Sequence, residues 1–394
     1  MTDNRYWLLP EGISEALPQS AKQLEALRRQ LIDLYVSWGY YLVMPPLVEF
    51  MESLSTGTGE ALDTQTFKLT DQVSGRLMGV RADMTPQVAR IDAHRLPHSR
   101  VNRLCYLGPV LRARSTHSTG GSRSPLQVGA ELFGHAGVES DFEVISMAIE
   151  TLSCCTSEII TIDLGHIGIF TLLTAMSGLN QNQAELFSDM LIRKSVPEMT
   201  QWLAEIDIAD THKRLLMSLV HLNGSLEAID PAMQQVADAS DELAEIINHV
   251  KALIERIGQR FPKVNISIDL GEIRGYAYHT GMMFQLYVPS VKREILRGGR
   301  YDGVGAAFGH ARPATGFSAD LRLLNSLSTQ NTVTESGHIF APVTTEQGLD
   351  AAIDALRQQG RVVIKGLDAQ QTAEQYDCDQ QIEFSNKQWV VNPV

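Results

Sequence analysis

The chain has 394 residues, 44% of them apolar and 20% charged, with a formal net charge of −13. That length holds two or three domains with a sizeable core, and the acidic balance disfavours a broad grip on a nucleic-acid backbone. Four cysteines without a CxxC pair, no basic-then-apolar leader and no run as long as a membrane span argue against a disulfide framework, a zinc site, export and membrane insertion, and for the cytoplasm. Residues 1–20 read as an extended lead-in closed by Pro10 and Pro18. Leu24, Leu27, Leu31, Leu34 and Tyr35 recur at helical spacing, which predicts a helix from Ala21 to Trp38 that stops at Gly39. A short strand and Pro46 follow.

Phe67–Leu69 and Leu77–Val80 are predicted to form a hairpin. Arg81 to Arg90, RADMTPQVAR, opens a helix with Thr85 as N-cap and Pro86 at the first helical position. A strand then runs into Leu111-Arg112-Ala113-Arg114, and a polar loop covers Ser115 to Pro125. In the next strand, QVGAELFG, the alternation of Gln127, Gly129 and Glu131 puts all three on one face. Polar groups on a pocket-facing strand are expensive to bury without a polar ligand. Asp141 to Ser153 is a predicted helix, and Ser157 to His166 a strand and turn in which His166 is expected as a satisfied turn residue. Residues 168–262 read as several helices without catalytic spacing. His94 and His98, interrupted by Pro97, make a poor metal pair.

The alternating run Val264–Leu270 and the apolar run Met282–Val288 are expected to be two antiparallel strands joined across Arg274–Gly281, RGYAYHTG. Arg, His and polar aromatics at such a junction suit a pocket. Arg297 to Gly303, RGGRYDG, is a second glycine-rich turn, and Gly316 to Leu324 reads GFSADLRLL. Ser326 to Gly337 is a polar linker, and 338–394 form a small β-α-β-type unit.

RGYAYHTG and RGGRYDG resemble the two histidine-site motifs of histidyl-tRNA synthetases. RADMTPQVAR and QVGAELFG resemble two further segments of that family, whose acid, threonine, glutamine and glutamate hold the substrate histidine; here these are Asp83, Thr85, Gln127 and Glu131. The helix, Gly39, strand and Pro46 resemble class II motif 1, which implies a homodimer interface. The implied fold is α+β, a class II aminoacyl-tRNA synthetase-like antiparallel sheet flanked by helices, over 1–325 with the helical segment 168–262 inside it. A linker, 326–337, and a small C-terminal α/β domain, 338–394, complete the chain.

The departures fall on the ATP side. Ala113 stands where motif 2 has its glutamate, and the Ser115–Pro125 loop lacks the aromatic and basic residues of a tRNA-acceptor loop. GFSADLRLL is one residue short of motif 3, so either Arg322 keeps the ATP arginine or Leu323 replaces it. The tail is shorter than an anticodon-binding domain. With PEGISEALP and SWGYYLVMPPLVE, this pattern resembles the regulatory subunits of ATP phosphoribosyltransferase, the synthetase paralogues of histidine biosynthesis.

That resemblance implies a non-catalytic subunit that binds L-histidine through Asp83, Thr85, Arg112, Gln127, Glu131, Arg274, Tyr278 and His279. It implies pairing with the short-form catalytic subunit in a hetero-oligomer, a hetero-octamer, with activation of that subunit and feedback inhibition by histidine. No cofactor, metal, tRNA or membrane is implied. A working histidyl-tRNA synthetase is the first rival, opposed by Ala113, the shortened motif 3 and the short tail. A stand-alone histidine-binding protein is the second.

Overall fold

A computed structural model describes residues 7–56, 62–114, 122–273, 279–328 and 337–394. The chain divides into two compact units, Met1–Thr329 and Gln330–Val394.

The larger unit is built on a nine-stranded mixed sheet. Its strands are β1 (Tyr41–Leu42), β5 (Asn102–Pro109), β6 (Leu126–Phe133), β7 (Thr161–His166), β8 (Asn223–Gly224), β9 (Asn265–Asp269), β10 (Met282–Tyr287), β11 (Leu296–Arg300) and β12 (Ala314–Asp320), in the order β1-β5-β6-β12-β11-β10-β7-β9-β8. From β5 to β7 every neighbour is antiparallel; β1 and β9 join parallel to β5 and β7. A second, antiparallel sheet orders β2 (Val48–Phe50), β4 (Leu77–Val80) and β3 (Phe67–Thr70), and Phe67 stands opposite Val80 in the expected hairpin.

Side-chain alternation assigns the two faces of the large sheet. Val128, Ala130 and Leu132 of β6, Ile162 and Leu164 of β7, and Met282, Phe284 and Leu286 of β10 enter one core. That face is covered by the helices Pro18–Ser37, Val138–Ser153 and Asp241–Arg260, which contribute Leu27, Leu31, Val144, Ile145, Ile247 and Val250. Intervening residues of the same strands, Gln127 and Glu131 among them, face the other way, where the helix Thr85–Arg95 packs Val88 and Ala89 against Leu104, Tyr106 and Phe133. The pocket therefore opens on the face that the large helices leave clear.

Several sequence expectations change. β9 and β10 are antiparallel but not a hairpin, because β7 lies between them and pairs with both. Apolar alternation identifies a strand without naming its neighbour, and Ile162 and Leu164 offer both partners an apolar strand. The first helix begins at Pro18, not Ala21: the proline sits in the first turn, where a missing N–H costs nothing. The helix expected after Arg81 begins at Thr85, but its threonine is not a side-chain cap. His166 does not sit in a turn. It ends β7, 8% exposed, and its Nδ1 has no hydrogen-bond partner.

The smaller unit carries β13 (Ile339–Ala341), β14 (Val363–Lys365), β15 (Gln380–Ser385) and β16 (Gln388–Pro393) in the order β14-β13-β15-β16. The helix Leu349–Gln358 lays Leu349 and Ile353 on Ile339, Val363 and Ile382. Ser326 and Leu327, expected in the linker, still belong to the helix Leu321–Leu327, and residues 329–336 lie outside the described residues.

Candidate functional site

Glu131 is the centre of the open face. It is 1% exposed and accepts from three hydroxyls: Thr85 Oγ1 at 2.9 Å and Tyr106 at 2.9 Å on Oε1, and Tyr301 on Oε2. Burial disfavours the charged form and pushes its carboxyl up to about 8, against the three donors that favour the anion. Tyr106 lies opposite Gly129 in the β5–β6 ladder, and Gly316 lies opposite Glu131 in the β6–β12 ladder. A Cβ on Gly129 would meet the Tyr106 hydroxyl at 2.6 Å and the Phe317 carbonyl at 2.4 Å, so glycine there is a requirement of the space.

Gln127, two residues earlier on the same face, joins the strand to the turn before the helix Thr85–Arg95. Its Oε1 accepts the Met84 N–H at 2.8 Å, and its Nε2 donates to Asp83 Oδ1 at 2.8 Å. Asp83 Oδ1 also accepts the Thr85 N–H at 2.9 Å. The carboxylate thus does the work expected of the Thr85 hydroxyl as a cap, and that hydroxyl is released to Glu131. Asp83, Thr85, Gln127 and Glu131 form one connected polar set. Arg81, in the same turn, is a tether instead: its buried guanidinium donates to the carbonyls of Pro45 at 2.6 Å and Pro109 at 2.9 Å.

Beside this set, Arg112, Gln127, Arg297 and Asp320 line an 80 Å³ cavity, far below the roughly 300 Å³ at which ligand pockets begin. Asp320 accepts the backbone N–H groups of Leu126 at 3.2 Å and Arg322 at 3.0 Å. Its burial raises the carboxyl above the usual carboxylate range. Leu323 lines the cavity, whereas Arg322 reaches away to the Ser14 carbonyl at 3.3 Å. His279 lies near Arg297 and Asp83, and burial first, then Arg297, holds its imidazole down to about 3. Arg274 and Tyr278 lie outside the described residues.

Two partners of Glu131, Tyr106 and Tyr301, were not singled out by sequence. The tyrosine of RGGRYDG was the available signal. The arginine before it, Arg300, is structural: its guanidinium grips buried Asp141 at 2.8 and 3.2 Å and donates to Ser140 Oγ at 2.8 Å. Among the described residues, no group of three or more His, Cys, Asp or Glu is placed to hold a metal ion, and no helix is long and apolar enough to cross a membrane. All four cysteines are free thiols; Cys154 is half-buried and the other three are buried.

Comparison with known proteins follows the same division. Residues 12–324 match the family described as Histidyl-tRNA synthetase. Residues 336–392 match the ATP phosphoribosyltransferase subunit HisZ C-terminal domain. The ATP phosphoribosyltransferase regulatory subunit of Thioalkalivibrio sulfidiphilus is 49% identical over 99% of both chains. A solved structure from Bacillus halodurans, described as an ATP phosphoribosyltransferase regulatory subunit/histidyl-tRNA synthetase, superposes with a TM-score of 0.80 at 25% identity, covering 95% of this chain and 97% of that one. A chain from the ATP phosphoribosyl transferase (HisG:HisZ) complex of Thermotoga maritima shares the fold, with a TM-score of 0.58 at 17% identity over 75% of this chain and 96% of that one. The α+β architecture is thus the class II synthetase-like fold, and the chain belongs to the family of ATP phosphoribosyltransferase regulatory subunits.

Proposed function

We propose that this protein is the non-catalytic, histidine-sensing partner of a short-form ATP phosphoribosyltransferase catalytic subunit in the cytoplasm. It activates that subunit and carries feedback inhibition by L-histidine. The observation that supports this reading best is the contrast between adjoining halves of one site. On one side Asp83, Thr85, Gln127 and Glu131 remain a connected polar set. On the other, Asp320 and Leu323 border a cavity of 80 Å³. Two carboxyl groups with amide and hydroxyl groups match an ammonium and an imidazole. Adenylate formation needs fixed positive charge around phosphates, and Arg322 is turned away toward Ser14. Arg274 holds the ligand carboxylate in this reading, with Tyr278, His279 and Arg112 closing the pocket.

The Thermotoga maritima complex, which shares the fold, supports pairing with a catalytic chain. The hetero-octamer is the expected assembly. Homodimerisation through the motif 1 region is supported by its exposed apolar side chains, Tyr41 at 72% and Met44 at 77% exposure.

Calorimetry with L-histidine tests the site. Asp83→Ala and Glu131→Ala are each expected to weaken binding by about 2–4 kcal/mol; unchanged affinity in both removes the assignment. Histidine-dependent exchange of pyrophosphate into ATP is expected to be nil, and measurable exchange contradicts the non-catalytic reading. Co-purification with the short catalytic subunit tests the partnership.

A further inference from the structure

A second cavity, of 710 Å³, does not have Glu131 in its lining. The helices Ile167–Met176 and Asp241–Arg260 form two of its walls, and His279–Met282 a third. Asp83, Gln127 and Glu131 do not line it; His279 is the one described residue it shares with the proposed histidine site. Its volume lies within the roughly 300–1,000 Å³ of small-molecule sites.

The polar groups of this cavity include two sets of opposite preference. The first set is at the N-terminus of the helix Ile167–Met176, where Ile167 and Gly168 line the wall. The Ile167 amide is used by the Gly281 carbonyl at 3.2 Å, but the Gly168 amide has no backbone acceptor among the described residues. His166, immediately before the helix, also lines the cavity and is 8% exposed, yet its Nδ1 lacks a partner. Burial holds this imidazole down to about 4, so it is neutral near pH 7 and has one N–H to give. A helix N-terminus with a neutral imidazole donor suits a carboxylate.

The second set favours a cation. Glu242 and Glu245, three residues apart on one face of the helix Asp241–Arg260, line the rim and are exposed. Among the described residues neither has an ion-pair or hydrogen-bond partner. Glu242 is accounted for by its place in the first helical turn, where an acid complements the helix dipole. Glu245 is not, and neither is buried His166. Asp141, also at the wall, is already compensated by Arg300 and bonded by His249 Nε2 at 2.9 Å. Leu172 and Ile246 add half-buried apolar wall, and Ile246 lies beside the helix N-terminus, 3.2 Å from where a Cβ on Gly168 would stand.

We propose that this cavity is a second ligand site, for a zwitterionic α-amino acid with an apolar side chain. The carboxylate meets the Gly168 amide and His166, the ammonium meets Glu242 and Glu245, and the side chain lies on Leu172 and Ile246. The inference stands independently of histidine binding at Glu131.

Titration of the full-length protein with L-leucine, isoamylamine and 4-methylpentanoate, followed by calorimetry, tests it. The latter two ligands each keep the apolar body and one charge. L-Leucine is expected to bind at least about tenfold more tightly than either. The exposed-site variant Glu242→Gln/Glu245→Gln is expected to lose about tenfold in L-leucine affinity while its L-histidine affinity is unchanged. The Glu131→Ala variant is expected to keep L-leucine binding. Absence of saturable L-leucine binding, equal binding of either singly charged analogue, indifference to the double variant, or loss of L-leucine binding in Glu131→Ala each overturns the proposal.

Discussion

Gly316 stands directly opposite Glu131 in the β6–β12 ladder, and a Cβ on it would lie 1.6 Å from Glu131 Oε2. The backbone is close as well, with the Ala130 carbonyl 2.7 Å away. Glycine here is what lets a fully buried carboxylate keep its three hydroxyl donors. Gly316→Ala is therefore expected to displace the Glu131 side chain. Overpacking of this kind costs about 1–3 kcal/mol in denaturant unfolding, and L-histidine binding by calorimetry is expected to fall with it. A variant with wild-type stability and wild-type binding would show that the pocket accommodates the methyl group.

The raised carboxyl of Glu131 has a definite sign in stability. Its value moves from an ordinary 4.5 to about 8 in the folded protein, chiefly through burial. Between those values the folded state holds a proton that the unfolded state has released. The stabilising contribution of this group is full below about 4.5 and is lost as pH rises through about 8. Glu131→Gln removes the titration while keeping the shape. Wild type is expected to lose stability relative to Glu131→Gln by up to about 1.4 kcal/mol per pH unit across that window. Parallel stability–pH curves for the two proteins would contradict a protonated Glu131.

Asp141 and Arg300 form a buried pair, 2% and 8% exposed at the side chain, that fixes the end of β11 to the helix Val138–Ser153. His249 binds the same carboxylate from the helix Asp241–Arg260. Arg300→Met is expected to cost about 3–5 kcal/mol, because it strands a buried carboxylate. The double variant Arg300→Met/Asp141→Leu is expected to recover most of that loss in urea unfolding. Equal destabilisation of single and double variants would show that packing, not charge, is the larger effect.

Much of the site was legible because strand periodicity is local. QVGAELFG put Gln127 and Glu131 on one face, and they share the pocket face with Asp83 and Thr85. What the sequence left hidden depends on pairing across long separations. Tyr106 and Gly316 matter because their strands flank β6 in a particular register. The strand β7, inserted between β9 and β10, was hidden for the same reason. Local signals also misled where a residue had two possible uses. Pro18 begins a helix rather than closing a loop, and Thr85 gives its hydroxyl to Glu131 while Asp83 takes the cap.

The most direct test of the sensor reading uses the assembled complex. In the proposed reading the site is a detector if histidine binds the inhibited state of the complex more tightly than the active one. A tenfold preference needs about 1.4 kcal/mol, within reach of one or two added hydrogen bonds. The measurement is phosphoribosyl transfer by the short catalytic subunit, titrated with L-histidine, in complex with wild-type or Glu131→Ala regulatory subunit. The variant is expected to activate the catalytic subunit as the wild type does, which also reports its folding, and to lose histidine inhibition. Inhibition of both complexes at the same histidine concentration would contradict the account and place the sensor on the catalytic subunit.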